Sequence, residues 1–153
     1  MAAGKFFMYN SALRYVLQGQ LDLDTGPIWL AAVQSGYTPD TAGHSILSQV
    51  CPTYQATANS ALVPFKQCTG LTVTSSGVVA IKYDIADING ISAGGYSTKM
   101  KYGVFFASAS AGGLDNLLLG FVNMDTGGTT GVEGVQINLV INSAGLFKIN
   151  TNQ

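Results

Sequence analysis

The apolar positions of this chain change their period after the first twenty residues or so. Between about residues 10 and 19 the period is helical. Leu13, Val16 and Leu17 fall at i, i+3 and i+4, which places them on one face of a helix. Asn10 or Ser11 can cap its start and Gly19 is placed to end it. Tyr9, just before the cap, can pack back on Leu13 as a staple. From about residue 27 onward the pattern is that of strands. Ile28 to Val33 is a short apolar run between Gly-Pro and Ser-Gly, which suits a buried strand. "SGYTPD" then reads as a turn through Pro39 and Asp40. In "TAGHSILSQV", Ile46, Leu47 and Val50 have the spacing of a short helix. Pro64 inside "ALVPFKQ" makes that piece an edge strand or a bulge.

The second half predicts strands throughout. "LTVTS" and "VVAIKYDI", separated by Ser-Gly, read as a tight hairpin. "KMKYGVFFAS" alternates and then becomes fully apolar, and "LLLGFVNM" follows a Gly-Gly turn. "VQINLVIN" alternates strictly, with Val135, Ile137, Leu139 and Ile141 on one face. The compact turn "SAG" leads to "LFKIN", and these two strands form the best-marked hairpin. One N-terminal α-helix followed by six to eight short strands predicts a mainly β fold, a β-sandwich or jelly-roll-like barrel. Residues 1–153 read as a single domain, without a linker or a fixed-period repeat. "SASAGGLDN" and "DTGGTTGVEG" are Gly-rich loops long enough to touch a partner.

Composition narrows the function classes. Charged residues make up 10% of the 153 positions, against roughly 25% in an ordinary globular protein. Such a surface has little self-repulsion, which favours a homo-oligomer or a lattice. The net charge is −1 and no basic run occurs, so nucleic acid and anionic membrane are not expected partners. No apolar stretch has the length of a transmembrane helix, and "MAAGKFFMYN" is too poor in apolar residues for a signal-peptide core. Synthesis in the cytoplasm without an export signal is the expectation. Cys51 and Cys68 fit no zinc spacing, and the single histidine does not complete one. They read as small buried apolar residues. A disulfide between them stays open, because sequence does not give the approach of their Cα atoms.

The candidate chemistry is sparse. In "LDLDTGPIWLAAV", Asp22 and Asp24 alternate as calcium ligands do, but Gly26 comes one residue early and no Glu follows at the needed distance. A turn, with Asp bonding nearby backbone N–H groups, is the favoured reading. "YDIADINGI" carries Asp84, Asp87 and Asn89. A glycosidase needs two carboxyls facing across a cleft, whereas this reads as a strand end followed by an Asn-Gly turn. His44 and Ser45 are adjacent, but no G-x-S-x-G elbow exposes a serine nucleophile. No phosphate loop is present. The expectation is therefore no catalytic residues, no cofactor and no metal. Trp29 and surface tyrosines could stack on sugar rings in a glycan-binding module, but Trp29 sits in an apolar run and reads as buried.

The stretch "YNSALRYVLQGQLDLDTGPIWLAAVQSGYTPD" resembles the start of a family of small tailed-phage virion structural proteins. Tyr9, Asn10 and Ala12 match the start of that pattern, Leu21, Asp22 and Leu23 its centre, and Tyr37, Thr38 and Pro39 its turn. His44 to Val50, "LLLGFVNM" and "VQINLVINSAGLFKI" are similar to later pieces in the same order. Trp29 departs from the pattern's polar residue, the Asp expected near Gln49 is absent, and residues 51–76 match loosely. The resemblance implies a virion component, in the favoured version a capsid decoration or cement protein without catalysis. A tail, neck or baseplate protein is the alternative. Its partner would be the major capsid protein or another virion protein. Phe6, Phe7, Tyr9, Tyr37 and Tyr96 are the candidate interface anchors where exposed, since large rigid side chains dominate interface energy; core packing is the competing role of each.

Overall fold

In a computed structural model that describes residues 5–55, 65–75, 80–91, 100–108, 113–124, 137–141, 143 and 145–150, the chain is mainly β, with one α-helix and antiparallel sheets. The elements are β1 (Phe6–Met8), α1 (Asn10–Leu17), β2 (Ile28–Gln34), β3 (Phe65–Gln67), β4 (Thr72–Ser75) and β5 (Ala80–Asp84). They continue with β6 (Ile88–Ile91), β7 (Met100–Ala107), β8 (Leu117–Asn123), β9 (Ile137–Leu139) and β10 (Phe147–Asn150). Five strands form one sheet in the order β1-β8-β7-β2-β3. A three-stranded sheet has the order β10-β5-β4, and β6 pairs with β9.

The three central strands of the five-stranded sheet, β8, β7 and β2, are buried on both faces, and this explains their sequence. Antiparallel strands with one wet face alternate, whereas strands covered on both sides become continuous apolar runs. "IWLAAV" and "VFFA" are such runs. Ile28, Leu30 and Ala32 join Phe105, Ala107, Leu117 and Leu119 in one apolar cluster. Ala31 and Val33 join Val104, Phe106, Leu118 and Phe121 in the other. On the first side the cover is Tyr15 of α1, Leu21 and Leu23 after it, Tyr83, Ile88 and Leu139 of the smaller sheets, and Ile85 between β5 and β6. On the second side the cover is the segment after β2, through Tyr37, Leu47, Val50 and Cys51.

Strand β8 carries a bulge. Phe105 faces Gly120 and Phe106 faces Leu118, so the register steps past Leu119. Gly120 also faces Met8 of β1. A Cβ at Gly120 would run into the Phe6 ring and stand 2.6 Å from the Phe7 carbonyl oxygen. Glycine thus lets Phe6 lie over β8, edge-on to Phe105 at 5.8 Å and stacked on Phe147 at 5.2 Å.

The helix forms where the pattern puts it, but its buried face is different. Ala12 and Tyr15 are inside, whereas Leu13 is 39% and Leu17 75% exposed. Spacing alone weighs Leu above Tyr, while the sheet accepts the larger ring. Neither Asn10 nor Ser11 caps the helix; Tyr9 occupies the cap position without a side-chain bond, and the Asn10 N–H donates to the Thr41 carbonyl. Tyr9 turns into the cluster on the second face. The end is as expected. Gly19 has φ +67°, its N–H donates to Val16 O, and the Gln20 N–H donates to Tyr15 O, which is a Schellman closure.

Other expectations are corrected. The chain enters through a strand, β1, before the helix. Residues 41–50 hold only a 3-10 turn, Leu47–Gln49, because Ile46 bridges Leu117 in extended form and the Gln49 side chain accepts from Ser45 N–H and Ile46 N–H. Strands β4 and β5 do pair as expected. The hairpin expected between 135–142 and 146–150 does not form. β9 pairs with β6 and β10 pairs with β5. The Ile141 N–H donates to Asp87 Oδ1 and the Leu146 N–H to Tyr83 O, so both flanks are held by the β5–β6 segment. Within β9 and just after it the alternation holds: Leu139 and Ile141 are buried, Asn138 and Val140 exposed. Asn89-Gly90 lies within irregular β6, not in a turn. β3 is an edge strand, as expected, while Pro64 and most of the two Gly-rich loops lie outside the described residues.

Replacing Gly120 with Ala should destabilise the protein by about 2–3 kcal/mol, the range of an overpacked core. Gly36→Ala is the matched control, with nothing within 4 Å of its Cβ position, and should stay within about 0.5 kcal/mol. Urea unfolding of both variants checks the contrast.

Candidate functional site

The five anchor residues separate into surface and interior. Phe7 is 42% exposed, stacks on Phe121 at 5.3 Å, and has the Lys5 ammonium 5.4 Å from its ring centre. Phe6 is half-buried between Phe105 and Phe147. Tyr9 and Tyr37 are buried and offer no surface, so of their two candidate roles they take packing and not the anchor role. Tyr96 lies outside the described residues. Leu17 is the most exposed large apolar side chain among the described residues, and helical spacing had counted it as core.

Tyr9 and Tyr37 form a buried polar chain. Their hydroxyls are 2.8 Å apart, and the Tyr37 hydroxyl is 2.8 Å from His44 Nδ1. The Asp40 N–H also donates to that nitrogen at 3.3 Å, which makes Nδ1 an acceptor. Tyr9 therefore donates to Tyr37 and Tyr37 donates to His44. The His44 ring stacks on Tyr37 at 5.4 Å. Asp40 supports the corner by accepting from Ala42 N–H and Gly43 N–H, which hold its carboxyl below the usual carboxylate range. Ser45 bonds to Gln49 and is not joined to His44. The arrangement fixes the cover of the second sheet face. It gathers no nucleophile beside a base among the described contacts.

The aspartates of "LDLDT" shape a turn. Asp22 Oδ1 accepts from Asp24 N–H at 3.1 Å and Thr25 N–H at 3.3 Å, and Oδ2 accepts from the Thr25 hydroxyl. Asp22 is held well below the usual carboxylate range, first by a hydrogen bond from the Asp24 carboxyl and then by Thr25. The same bond, and the Asp22 charge, push Asp24 up. Among the described residues no group of three or more His, Cys, Asp or Glu gathers to hold a metal ion. Asp84 pairs with Lys82 at 2.8 Å, and Asp87 holds the Ile141 backbone at 2.8 Å, so the second acidic cluster serves the fold.

Both cysteines are free and buried, in separate apolar clusters. Burial pushes the Cys51 thiol up to about 11 and the Cys68 thiol to about 12, so neither is a thiolate nucleophile at neutral pH. Trp29 is half-buried against the second cluster, and its Nε1–H is buried without a hydrogen-bond partner among the described residues. The Tyr83 hydroxyl is in the same condition. Sequence reasoning missed Tyr83; its only signal is its place between Lys82 and Asp84 in an alternating strand. No helix among the described residues is long and apolar enough to cross a membrane. Compared with known proteins, the chain matches no family model, no curated protein and no solved structure.

Tyr37→Phe should cost about 1–3 kcal/mol, because it strands the buried Tyr9 hydroxyl, whereas Tyr9→Phe leaves the Tyr37–His44 bond intact and should cost about 0.5–1.5 kcal/mol. Denaturant unfolding of the two variants tests that order. Burial raises the phenols of Tyr9, Tyr37 and Tyr83 above the ordinary 10.0. Above that pH the unfolded chain loses protons that the folded one keeps. Stability is thus fully present below pH 10 and falls as pH rises beyond it. In a spectrophotometric titration these three phenols should ionise only as the protein unfolds.

Proposed function

We propose that the protein is a structural component of a tailed-phage particle, and within that class a non-catalytic capsid decoration or cement protein. The observation that carries this reading is the exposed apolar surface of the N-terminal unit. Phe7 on β1 and Leu13 and Leu17 on α1 stand in solvent, in a chain in which only 10% of residues are charged. Exposed apolar side chains on a chain poor in charged residues suit contact with another protein. The resemblance of "YNSALRYVLQGQLDLD" to virion proteins covers the α1 part of this unit. The candidate chemical groups described above are committed to turns, buried hydrogen bonds or packing, which supports a contact role over a catalytic one.

On this reading the partner is the major capsid protein or another virion protein, and copies of the chain associate with one another on the lattice. Modest contacts repeated by symmetry then add to a stable shell. Quantitative mass spectrometry of purified particles from the encoding phage tests it. Copy numbers comparable to the major capsid protein are expected. A handful of copies moves the protein to the tail, neck or baseplate, and absence from particles overturns the structural reading. Leu17→Glu should lower the occupancy of particles while leaving the unfolding midpoint nearly unchanged, because that side chain is 75% exposed.

A further inference from the structure

Strand β1 is an outer strand of the five-stranded sheet, paired with β8 on one side only. The Tyr9 N–H donates to Leu119 O at 3.1 Å, which makes Tyr9 and Leu119 a hydrogen-bonded pair of that antiparallel ladder. Bonded pairs alternate with non-bonded ones, so Phe7, opposite Phe121, also bonds inward. Gly120 agrees with this: a Cβ there would stand 2.6 Å from the Phe7 carbonyl oxygen, which therefore points at β8. Phe6 and Met8 turn their N–H and C=O groups the other way. Neither has a backbone partner on that outer side among the described residues.

Four strands end the two larger sheets, and three of them carry polar or charged residues. Lys66 lies in β3, Lys148 in β10, and Thr72, Thr74 and Ser75 in β4. Strand β1, Phe-Phe-Met, has none. Open strand edges are normally guarded against pairing by a charge, a proline or a bulge. The β1 ladder runs without a register shift, so it has no bulge either. One edge of the five-stranded sheet is thus guarded, and the other is bare.

We propose that β1 pairs antiparallel with β1 of a second copy, about a two-fold axis at Phe7, so that two sheets join into one. The outward groups of Phe6 and Met8 stand symmetrically about Phe7, which makes the edge complementary to itself. Phe6 of each copy faces Met8 of the other, and each such pair exchanges both of its N–H···O bonds. The two Phe7 residues meet at the non-bonded position, where side chains come closest, and an aromatic pair gains from that contact. Phe7 is 42% exposed without it. Lys5, the only charge from residue 5 to residue 9, falls opposite Tyr9 of the other copy, so no like charges face each other. A three-residue ladder is small beside the roughly 1,200 Å² that a stable complex buries, so the pairing is weak in dilute solution. It shares the β1 surface with the proposed lattice role but stands on strand geometry alone.

Sedimentation velocity across roughly 0.01–1 mM, the range of weak complexes, should show a monomer–dimer equilibrium. In a sample mixing isotope-labelled and unlabelled protein, filtered NMR should give a contact between the Phe7 α-protons of the two copies. Phe7→Lys and Phe7→Glu each put like charges face to face and should each be monomeric. Their equimolar mixture should associate at least about threefold more tightly than either alone. Val73→Lys, on the polar edge β4, should leave the association of the parent chain unchanged. Thermal unfolding of each variant, with a midpoint close to the parent's, shows that pairing was lost and not the fold. A parent chain that stays monomeric at roughly 1 mM, a mixture no tighter than its components, or an equal loss with Val73→Lys overturns the pairing. A monomeric chain found in particles at capsid-like copy number overturns the pairing alone and leaves the lattice role standing.

Discussion

The structure depends on one constraint: the three central strands of the five-stranded sheet have no wet face. Its strands β2, β7 and β8 present apolar side chains to both sides. Each fully buried Leu, Val or Phe contributes roughly 1.5–3 kcal/mol, and that gain is lost on any face left open. A five-stranded sheet cannot cover itself. The rest of the chain is therefore arranged as two covers, the helix with the smaller sheets on one side and the segment from Tyr37 to Cys51 on the other.

A cover made of irregular chain has a cost that a sheet does not. It brings backbone and side-chain polar groups against an apolar surface, where each must find a partner. The second cover meets this with Tyr9, Tyr37 and His44 in series and with Gln49 bonded to Ser45 and Ile46. The first cover uses Asp22 for its turn and Asp87 for the backbone at Ile141. Polar residues that look like chemistry in a sequence are thus largely occupied in holding loops against the sheet. The Tyr83 hydroxyl is an exception, buried without a hydrogen-bond partner among the described residues. Among the described residues, apolar side chains stay exposed on β1 and α1, as do Val73 of β4 and Val140 after β9; those on β1 and α1 are the basis of the proposed role as a lattice component.

Much of this was legible in the residues. Runs such as "IWLAAV" and "VFFA" announce strands, and their lack of alternation announces two buried faces. Gly19, the Asp22 turn and the buried thiols follow from local chemistry alone. The face of α1 was not legible, because spacing cannot tell that the sheet takes Tyr15 and leaves Leu17 outside. The partner of β9 was not legible either. Alternation tells which side chains point inward, and it was right for Asn138 to Ile141, but it carries no information about the neighbouring strand. Its partner β6, and the Asp87 carboxylate that holds Ile141 just beyond it, are distant in sequence. The burial of Tyr9 and Tyr37 was equally hidden, since an aromatic suits an interface and a core alike.

Amide hydrogen exchange, resolved by residue, tests the central claim most directly. If the doubly covered sheet organises the protein, the slowest amides will be those of β2, β7 and β8, and they will exchange together at the global unfolding free energy. The amides of β4, β9 and α1 will exchange faster, through local opening. Maximal protection in the small sheets or the helix, with β7 and β8 exchanging early, would contradict the account.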